Sequence, residues 1–172
     1  MRDSTLKKIS KLIVLTALVC SLNGCAFLFG DKQEKKESVN ISFVSHSLVN
    51  PDSNSRSSPV AIYIYNINDI EEFSVVDYFT LVEDSQTQDK SDFYQVDNFG
   101  ISPSESRKKE YVLEKDQGAI GIVAAFRDLE NSQWKLIVDR KEIKRGLFKS
   151  VLNRNSTINL NIDKNSIIYQ VD

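Results

Sequence analysis

Apolar and polar residues alternate along several short stretches between positions 38 and 171, as they do in β-strands. Residues 38–48 carry Val39, Ile41 and Phe43 on one face and polar side chains on the other, which is the pattern of a strand with one buried face. The other predicted strands are 59–67, 106–114, 119–128, 134–139, 156–163 and 166–171. Both faces of 59–67 and 119–128 are apolar, so we expect these two strands to be central.

A helical pattern interrupts the strands at residues 69–84. Ile70, Phe73, Val76 and Val82 recur at helical spacing with an aromatic residue at 78 or 79, and Asp69 is a suitable N-cap. We predict one helix or two short ones here. A weaker helical pattern with many basic residues covers 141–153.

Short strands with little helix predict an all-β fold, an antiparallel β-sandwich with a short helical insertion. The predicted domain occupies residues 39–172.

The N-terminus has the three zones of a secretory signal. Basic residues give positions 1–11 a charge of +3, an uncharged apolar run covers 12–22, and small residues follow. The apolar run is too short for a membrane-spanning helix, which needs about 20 residues.

The end of this segment resembles a bacterial lipobox. Leu22, Asn23, Gly24 and Cys25 form an aliphatic residue, two tolerated residues and a cysteine. The resemblance implies cleavage before Cys25 and lipidation of its thiol; the alternative is an ordinary signal peptide that ends near a cysteine. Residues after Cys25 include no further cysteine, so the mature chain has no disulfide.

Lipidation would fix the chain to a membrane, since each buried methylene contributes about 0.8 kcal/mol and such proteins carry three acyl chains. Ala26 follows the cysteine where Asp would retain the protein in the inner membrane, so the resemblance implies the periplasmic face of the outer membrane. Residues 30–38 are polar and charged, which predicts that 25–38 form a lipidated tether.

Composition argues against nucleic-acid binding. Residues 1–24 contain four basic residues and one acidic residue, so the mature chain keeps 18 and 23 and has a formal charge of −5.

Motifs for catalysis and metal binding are absent from the sequence. The single histidine, His46, cannot form a typical zinc site without further ligands. The chain has no glycine-rich phosphate loop, no G-x-S-x-G and no H-E-x-x-H. The basic segment 140–145 is most simply an exposed face, with a phosphate-binding patch as the alternative. We therefore expect no enzyme, no cofactor and no metal.

Sixteen residues together with the lipobox resemble the type VI secretion lipoprotein family of the TssJ type. In order, the matching residues are Asn50, Pro51, Arg56, Ser58, Pro59, Val60, Tyr65, Phe73, Tyr78, Phe79, Ala124, Ala125, Phe126, Arg127, Asp128 and Trp134. The chain departs from the family at Ser104, where Pro-Gly is frequent, at Lys135, where Arg follows the Trp, and in the length of 141–153.

This resemblance implies a transthyretin-like β-sandwich with a structural role. Its implied partner is the periplasmic domain of the large inner-membrane secretion subunit, of the TssM type. The loop between the first two strands is implied as the contact, because loops on a rigid scaffold often carry binding. The residues of this loop that we expect to bind the partner are Asn50, Pro51, Asp52, Asn54, Arg56 and Ser58.

Five further residues have structural interpretations. Pro59 starts a strand rigidly, and Tyr65, Phe126 and Trp134 are expected in the core with their polar tips satisfied. Arg127 is expected to bind loop carbonyls or pair with an acid.

Two other functions stay open on the sequence alone. One is a periplasmic lipoprotein whose sandwich binds a small molecule or envelope polymer, which a deep pocket lined by aromatic residues would favour. The other is an enzyme, which would need a pair of residues with perturbed pKa values in a cleft.

Overall fold

A computed structural model describes residues 37–83, 92–115, 117–143 and 156–171. They lie in one compact unit, 36–172. The elements are β1 (Glu37–Ser45), β2 (Val60–Ile67), α1 (Ile70–Val75), α2 (Tyr78–Glu83), β3 (Phe93–Ile101), β4 (Ser106–Leu113), β5 (Ala119–Ala124), β6 (Lys135–Asp139), β7 (Ser156–Ile162) and β8 (Ile167–Val171). No helix within these residues is long and apolar enough to cross a membrane.

The strands form two four-stranded sheets, in the orders β4-β1-β7-β8 and β3-β2-β5-β6. The paired strands are antiparallel except β1 and β7, which run parallel. The predicted all-β sandwich with a helical insertion is confirmed, with one parallel pair that the sequence pattern did not indicate.

The two central strands of the second sheet are covered on both faces, which explains why β2 and β5 are mainly apolar. Ile62 and Ile64 point into the core between the sheets. Tyr65 and Ile67 alternate with them and lie in a second core beneath the two helices. Phe73 of α1 anchors this second core and contributes a fully buried ring.

The predicted helical stretch consists of two short helices. The Asp69 carboxylate caps α1 by accepting hydrogen bonds from the backbone N–H groups of Glu71 and Glu72. Val76 has extended backbone angles and ends α1. Asp77 then caps α2, since its carboxylate accepts from the backbone N–H of Thr80 at 3.1 Å.

Lys135 holds the C-terminal end of α1. Its Nζ donates to the carbonyl oxygens of Phe73, Ser74 and Val76 at 3.1, 2.9 and 2.6 Å. An ammonium group with three donors thus satisfies carbonyls that a helix end leaves unpaired. Burial lowers the pKa of Lys135, and the Asp77 carboxylate opposes this shift.

Strand β3 is absent from the sequence-based prediction. A bulge opposite Ile64 and Tyr65 leaves Val96 without a pairing partner on β2. The extra residue reverses the alternation, so Phe99 and Ile101 contact the core between the sheets while Phe93 contacts the core beneath the helices. A period of two therefore does not persist along the strand.

Several boundaries differ from the prediction. β1 begins at Glu37, two residues before the predicted domain start. β5 ends at Ala124, so Arg127 and Asp128 lie in the following loop and not on a strand as predicted. Residues 140–143 are helical, and the rest of the predicted helix at 141–153 lies outside the described residues. The signal segment, Cys25 and the tether up to residue 36 also lie outside them.

The sandwich has two distinct ends. At the N-terminal end, defined by Glu37 and the connection 114–118, the Arg140 guanidinium donates to Glu37 at 2.6 Å and to the carbonyl oxygens of Glu114 and Gln117 at 2.6 and 2.9 Å. The opposite end, called the loop end here, consists of the connections 46–59, 102–105, 125–134 and 163–166.

Candidate functional site

A cleft of about 620 Å³ opens at the loop end, between the connections 46–59, 125–134 and 163–166. We call it the Asn50 cleft. It is lined by Asn50, Pro51, Asp52, Ser53, Ser55, Phe126, Arg127, Asp128, Lys164 and Asn165. Two of these residues, Pro51 and Phe126, are apolar, so the surface is mainly one of hydrogen-bonding groups and charges.

Asn50 holds the three connections together. Its amide oxygen accepts from the backbone N–H of Arg127 at 2.8 Å, and its amide nitrogen donates to the carbonyl of Pro59 at 2.8 Å. Its own backbone N–H donates to the carbonyl of Lys164 at 2.9 Å, and the Ser58 hydroxyl donates to its carbonyl at 2.7 Å. Asn50 is 4% exposed, and its side-chain bonds to Arg127 and Pro59 are part-buried.

The backbone at Asn50 is left-handed, with φ 47°. Asparagine tolerates this conformation better than most residues. Asparagine therefore suits position 50 both through the backbone conformation that it tolerates and through the hydrogen bonds of its side chain.

A second network shapes the tip of the loop. The Asp52 carboxylate accepts from the backbone N–H groups of Asn54 and Arg56, both at 2.9 Å, and from Nε of Arg56 at 2.8 Å. These bonds from Arg56, helped by the charge of Arg127, hold the pKa of Asp52 below its ordinary value. Asp52 is thus an ionised residue whose charge is already engaged.

The six loop residues predicted to bind a partner differ in exposure. Asn50 is buried and occupied within the chain, while Pro51, Asp52 and Ser58 are partly buried. Asn54 and Arg56 are exposed. The surface that a partner could touch is therefore formed by the loop tip, and Asn50 gives the loop its shape.

Three of the residues with predicted structural roles, Arg127, Phe126 and Pro59, contact Asn50 or line the Asn50 cleft. The backbone N–H of Arg127 binds Asn50, while its side chain is exposed and makes no ion pair among the described residues. Phe126 is 5% exposed and lies beneath the cleft, and the carbonyl of Pro59 accepts from Asn50.

The two remaining aromatic residues belong to the core beneath the helices. The Tyr65 hydroxyl donates to the carbonyl of Leu81 at 2.6 Å, and burial raises the pKa of Tyr65 above its usual range. Trp134 is half-buried and packs edge to face against Tyr78, with ring centroids 5.4 Å apart.

Sequence reasoning missed the contribution of Lys164 and Asn165 to the cleft. They lie in the turn between β7 and β8, more than 100 positions from the loop tip. Only the polar run at 163–166 marks this turn, and nothing in it indicates a contact with Asn50. Asp128 appears in the family resemblance, without a predicted binding role.

The described residues around the cleft present hydrogen-bonding groups and charges. No group of three histidine, cysteine or acidic side chains in this part of the chain could hold a metal ion. The carboxylates near the cleft are engaged by hydrogen bonds from neighbouring groups, as Asp52 is by Arg56 and Asp128 by Asn131 at 2.8 Å. The cleft can therefore offer charges, hydroxyls and amides to a partner.

Comparison with known families gives one match that covers most of the chain. Residues 37–165 match the family model described as "Type VI secretion lipoprotein, VasD, EvfM, TssJ, VC_A0113". A comparison with curated proteins found no match.

Solved structures share the fold at low sequence identity. The T6SS lipoprotein TssJ1 from Pseudomonas aeruginosa aligns with a TM-score of 0.67 and 23% identity, over 80% of this chain and 97% of its own. Serratia marcescens Lip, described as a membrane-bound component of the type VI secretion system, has a TM-score of 0.67 and 17% identity, over 78% and 96%. A chain in the structure described as the TssM C-terminal domain from EAEC has a TM-score of 0.61 and 16% identity, over 77% and 97%. At these identities the likeness establishes the fold.

Proposed function

Because the chain belongs to the type VI secretion lipoprotein family, we propose that it is a structural anchor of a type VI secretion membrane complex. In this proposal lipids on Cys25 hold it to the periplasmic face of the outer membrane. The loop end binds the periplasmic domain of the large inner-membrane subunit, of the TssM type. The protein then connects the two membranes mechanically, and we expect no catalysis.

The observation that supports this role is the rigid loop at the Asn50 cleft. Exposed loops are usually mobile, and ordering them on binding costs free energy. Here the internal bonds of Asn50 and Asp52 fix the loop before any partner arrives. A preformed polar surface at the end of a sandwich is suited to a protein partner.

The cleft gives less support to the second function, a site for a small molecule. Such pockets are lined predominantly by hydrophobic and aromatic side chains. Phe126 is the one aromatic residue lining this cleft, and it is 5% exposed. The described surface therefore favours the anchor.

A blocking substitution tests the loop end directly. Asn54→Trp places a bulky side chain at the exposed loop tip and leaves Asn50 in place. We expect at least a tenfold loss of affinity for the periplasmic domain of the large subunit from the same organism, measured by calorimetric titration of the full chain in detergent. The matched control is Lys115→Trp, an exposed position at the N-terminal end. Equal binding by the wild type and both variants would move the site elsewhere, and no binding by the folded wild type would reject the partner.

The anchor requires a separate experiment in cells. Cys25→Ser should leave a folded protein without lipid, released from the outer membrane fraction, and secretion should stop. Normal secretion by this variant would contradict the anchoring role.

A further inference from the structure

The Asn50 cleft contains two positive charges without an ion pair in the described part of the chain. Arg127 and Lys164 are exposed, line the cleft and form no ion pair among the described residues. By contrast, Arg56 at the loop tip is committed to Asp52, with its guanidinium 2.7 Å from the carboxylate. Arg127 acts on this loop network only through its charge, which helps to lower the pKa of Asp52, and it forms no hydrogen bond with the Asp52 carboxylate.

One buried residue fixes the backbone beneath both cations. The Asn50 side chain accepts from the N–H of Arg127, and the Asn50 N–H donates to the carbonyl of Lys164. Arg127 and Lys164 lie far apart in the sequence, yet they are tied to the same residue within one hydrogen bond each. Their side chains thus emerge into one cleft from a shared and rigid support.

The rest of the lining suits a negatively charged group. The exposed hydroxyls of Ser53 and Ser55 make no hydrogen bond among the described residues and remain available as donors. Of the two carboxylates, Asp52 is neutralised by Arg56, whereas Asp128 keeps its negative charge and accepts one hydrogen bond from the neutral Asn131 amide. The lining groups that remain available are predominantly donors and cations.

We propose that Arg127 and Lys164 together bind a carboxylate of the protein partner, an inference that rests on the proposed function. An arginine guanidinium can donate two parallel hydrogen bonds to a carboxylate, and a lysine ammonium adds a third donor and a charge. The carboxylate is either an internal Asp or Glu side chain or the C-terminus of the partner.

The experiment removes the two charges and keeps the hydrogen bonds that fix the backbone. The variant Arg127→Gln/Lys164→Gln retains both backbone bonds to Asn50, so we expect it to melt as the wild type does. Its dissociation constant for the periplasmic domain should rise at least tenfold. The matched control, Lys108→Gln/Lys141→Gln, removes two exposed cations that do not line the cleft and should change the dissociation constant less than twofold. Raising NaCl from about 50 to about 300 mM should weaken wild-type binding more than binding by the double variant.

Further arms identify the source of the carboxylate. A Gly-Ser-Gly-Ser tail added to the C-terminus of the partner domain moves its terminal carboxylate. If that carboxylate is bound, the wild type and the double variant should bind the extended domain equally weakly. If a side chain is bound, the tenfold difference between them should persist. Vesicles containing an anionic phospholipid test a headgroup instead. If the double variant loses vesicle binding and keeps the partner, the carboxylate proposal is wrong.

The outcomes separate this inference from the proposed function. If Asn54→Trp blocks the partner and the double variant binds as tightly as the wild type, the function stands and the inference fails. If the folded wild type does not bind the partner, both fail.

Discussion

At the scale of single residues, three positions at the loop end have left-handed backbone, and they are Asn50, Ser55 and Ser104. Asn50 adopts φ 47°, and both its amide oxygen and its amide nitrogen are hydrogen-bonded. Ser104 adopts φ 61° at the turn between β3 and β4. Asn50 suits its conformation, whereas Ser104 has a side chain that disfavours it. Asn50 and Ser104 should respond to substitution in opposite directions.

Asn50→Ala should lower the free energy of unfolding by about 2–4 kcal/mol, since it leaves a part-buried N–H and a part-buried carbonyl without partners. Urea denaturation followed by circular dichroism measures the change. Asn54→Ala is the control, because its exposed side chain should matter by less than about 0.5 kcal/mol. Equal effects of the two substitutions would show that Asn50 is not the support of the loop.

Ser104→Gly should raise the free energy of unfolding by up to about 1 kcal/mol, because glycine adopts a positive φ without steric cost. Pro103 precedes it, and the backbone N–H of Glu105 donates to the carbonyl of Ser102 at 3.1 Å, as in a type II turn. The melting temperature in calorimetry should rise. A fall would mean that the turn needs the Ser104 side chain.

At the scale of elements, the helical insertion packs closely on the second sheet because Gly121 has no side chain there. A Cβ at Gly121 on β5 would lie 2.7 Å from the Phe73 ring and 2.9 Å from Ile67. Phe73 also contacts the rings of Tyr65 and Phe93, at centroid distances of 5.4 and 5.1 Å. The ring therefore has no open direction in which to move.

Gly121→Ala should consequently cost about 1–3 kcal/mol of stability through overpacking. Gly100→Ala is the matched control, because nothing lies within 4 Å of its added Cβ and alanine is at least as favourable as glycine in a strand. Chemical denaturation measures the free energy of unfolding of both variants. If the two variants are equally stable, α1 is not packed on β5 as described.

The elements also show what the sequence could predict. Strands with an unbroken alternation, such as β1 and β7, were found with small errors at their ends. The helix cap at Asp69 was found because a cap is a local signal. β3 was missed because the bulge at Val96 changes which face is buried, and that depends on pairing with β2.

The candidate site was predicted only in its local part. The loop residues lie next to one another in sequence and could be named. Lys164 and Asn165 join them through β7 and β8, and no local signal reports a contact made by sheet pairing. The buried state of Asn50 has the same cause, since Arg127 and Lys164 enclose it from distant segments.

At the scale of the whole molecule, ionised carboxylates support the folded state. Asp97 lies at the edge between the sheets, where it accepts from Lys109 at 2.6 Å and from Tyr111 at 2.8 Å. Burial alone would raise the pKa of Asp97, but these hydrogen bonds hold it below the ordinary value of 3.8. The pKa values of Asp52, Asp77 and Glu105 are also lowered, by hydrogen bonds from neighbouring groups.

Stability should therefore fall in acid. A depressed pKa means that the unfolded chain binds protons first, so the contribution is complete above about pH 5 and is lost as the pH falls through the lower folded-state pKa. Urea denaturation at pH 7, 4 and 3 should show this loss, and Asp97→Asn should reduce its size. An equal loss in the variant would assign the acid sensitivity to the other carboxylates.

The position of β1 determines how the protein would carry tension. It begins at the N-terminal end, spans roughly 27 Å, and leads directly into the loop at the opposite end. Its neighbours β4 and β7 bind it along both edges. A chain pulled at Glu37 and held at the loop end would load these hydrogen bonds together in shear, and none could open before the others. β1 would then resist extension as a clamp does, and stretching single molecules between these two points should require more force than stretching between Val171 and the loop end, because the edge strand β8 is hydrogen-bonded along one side only.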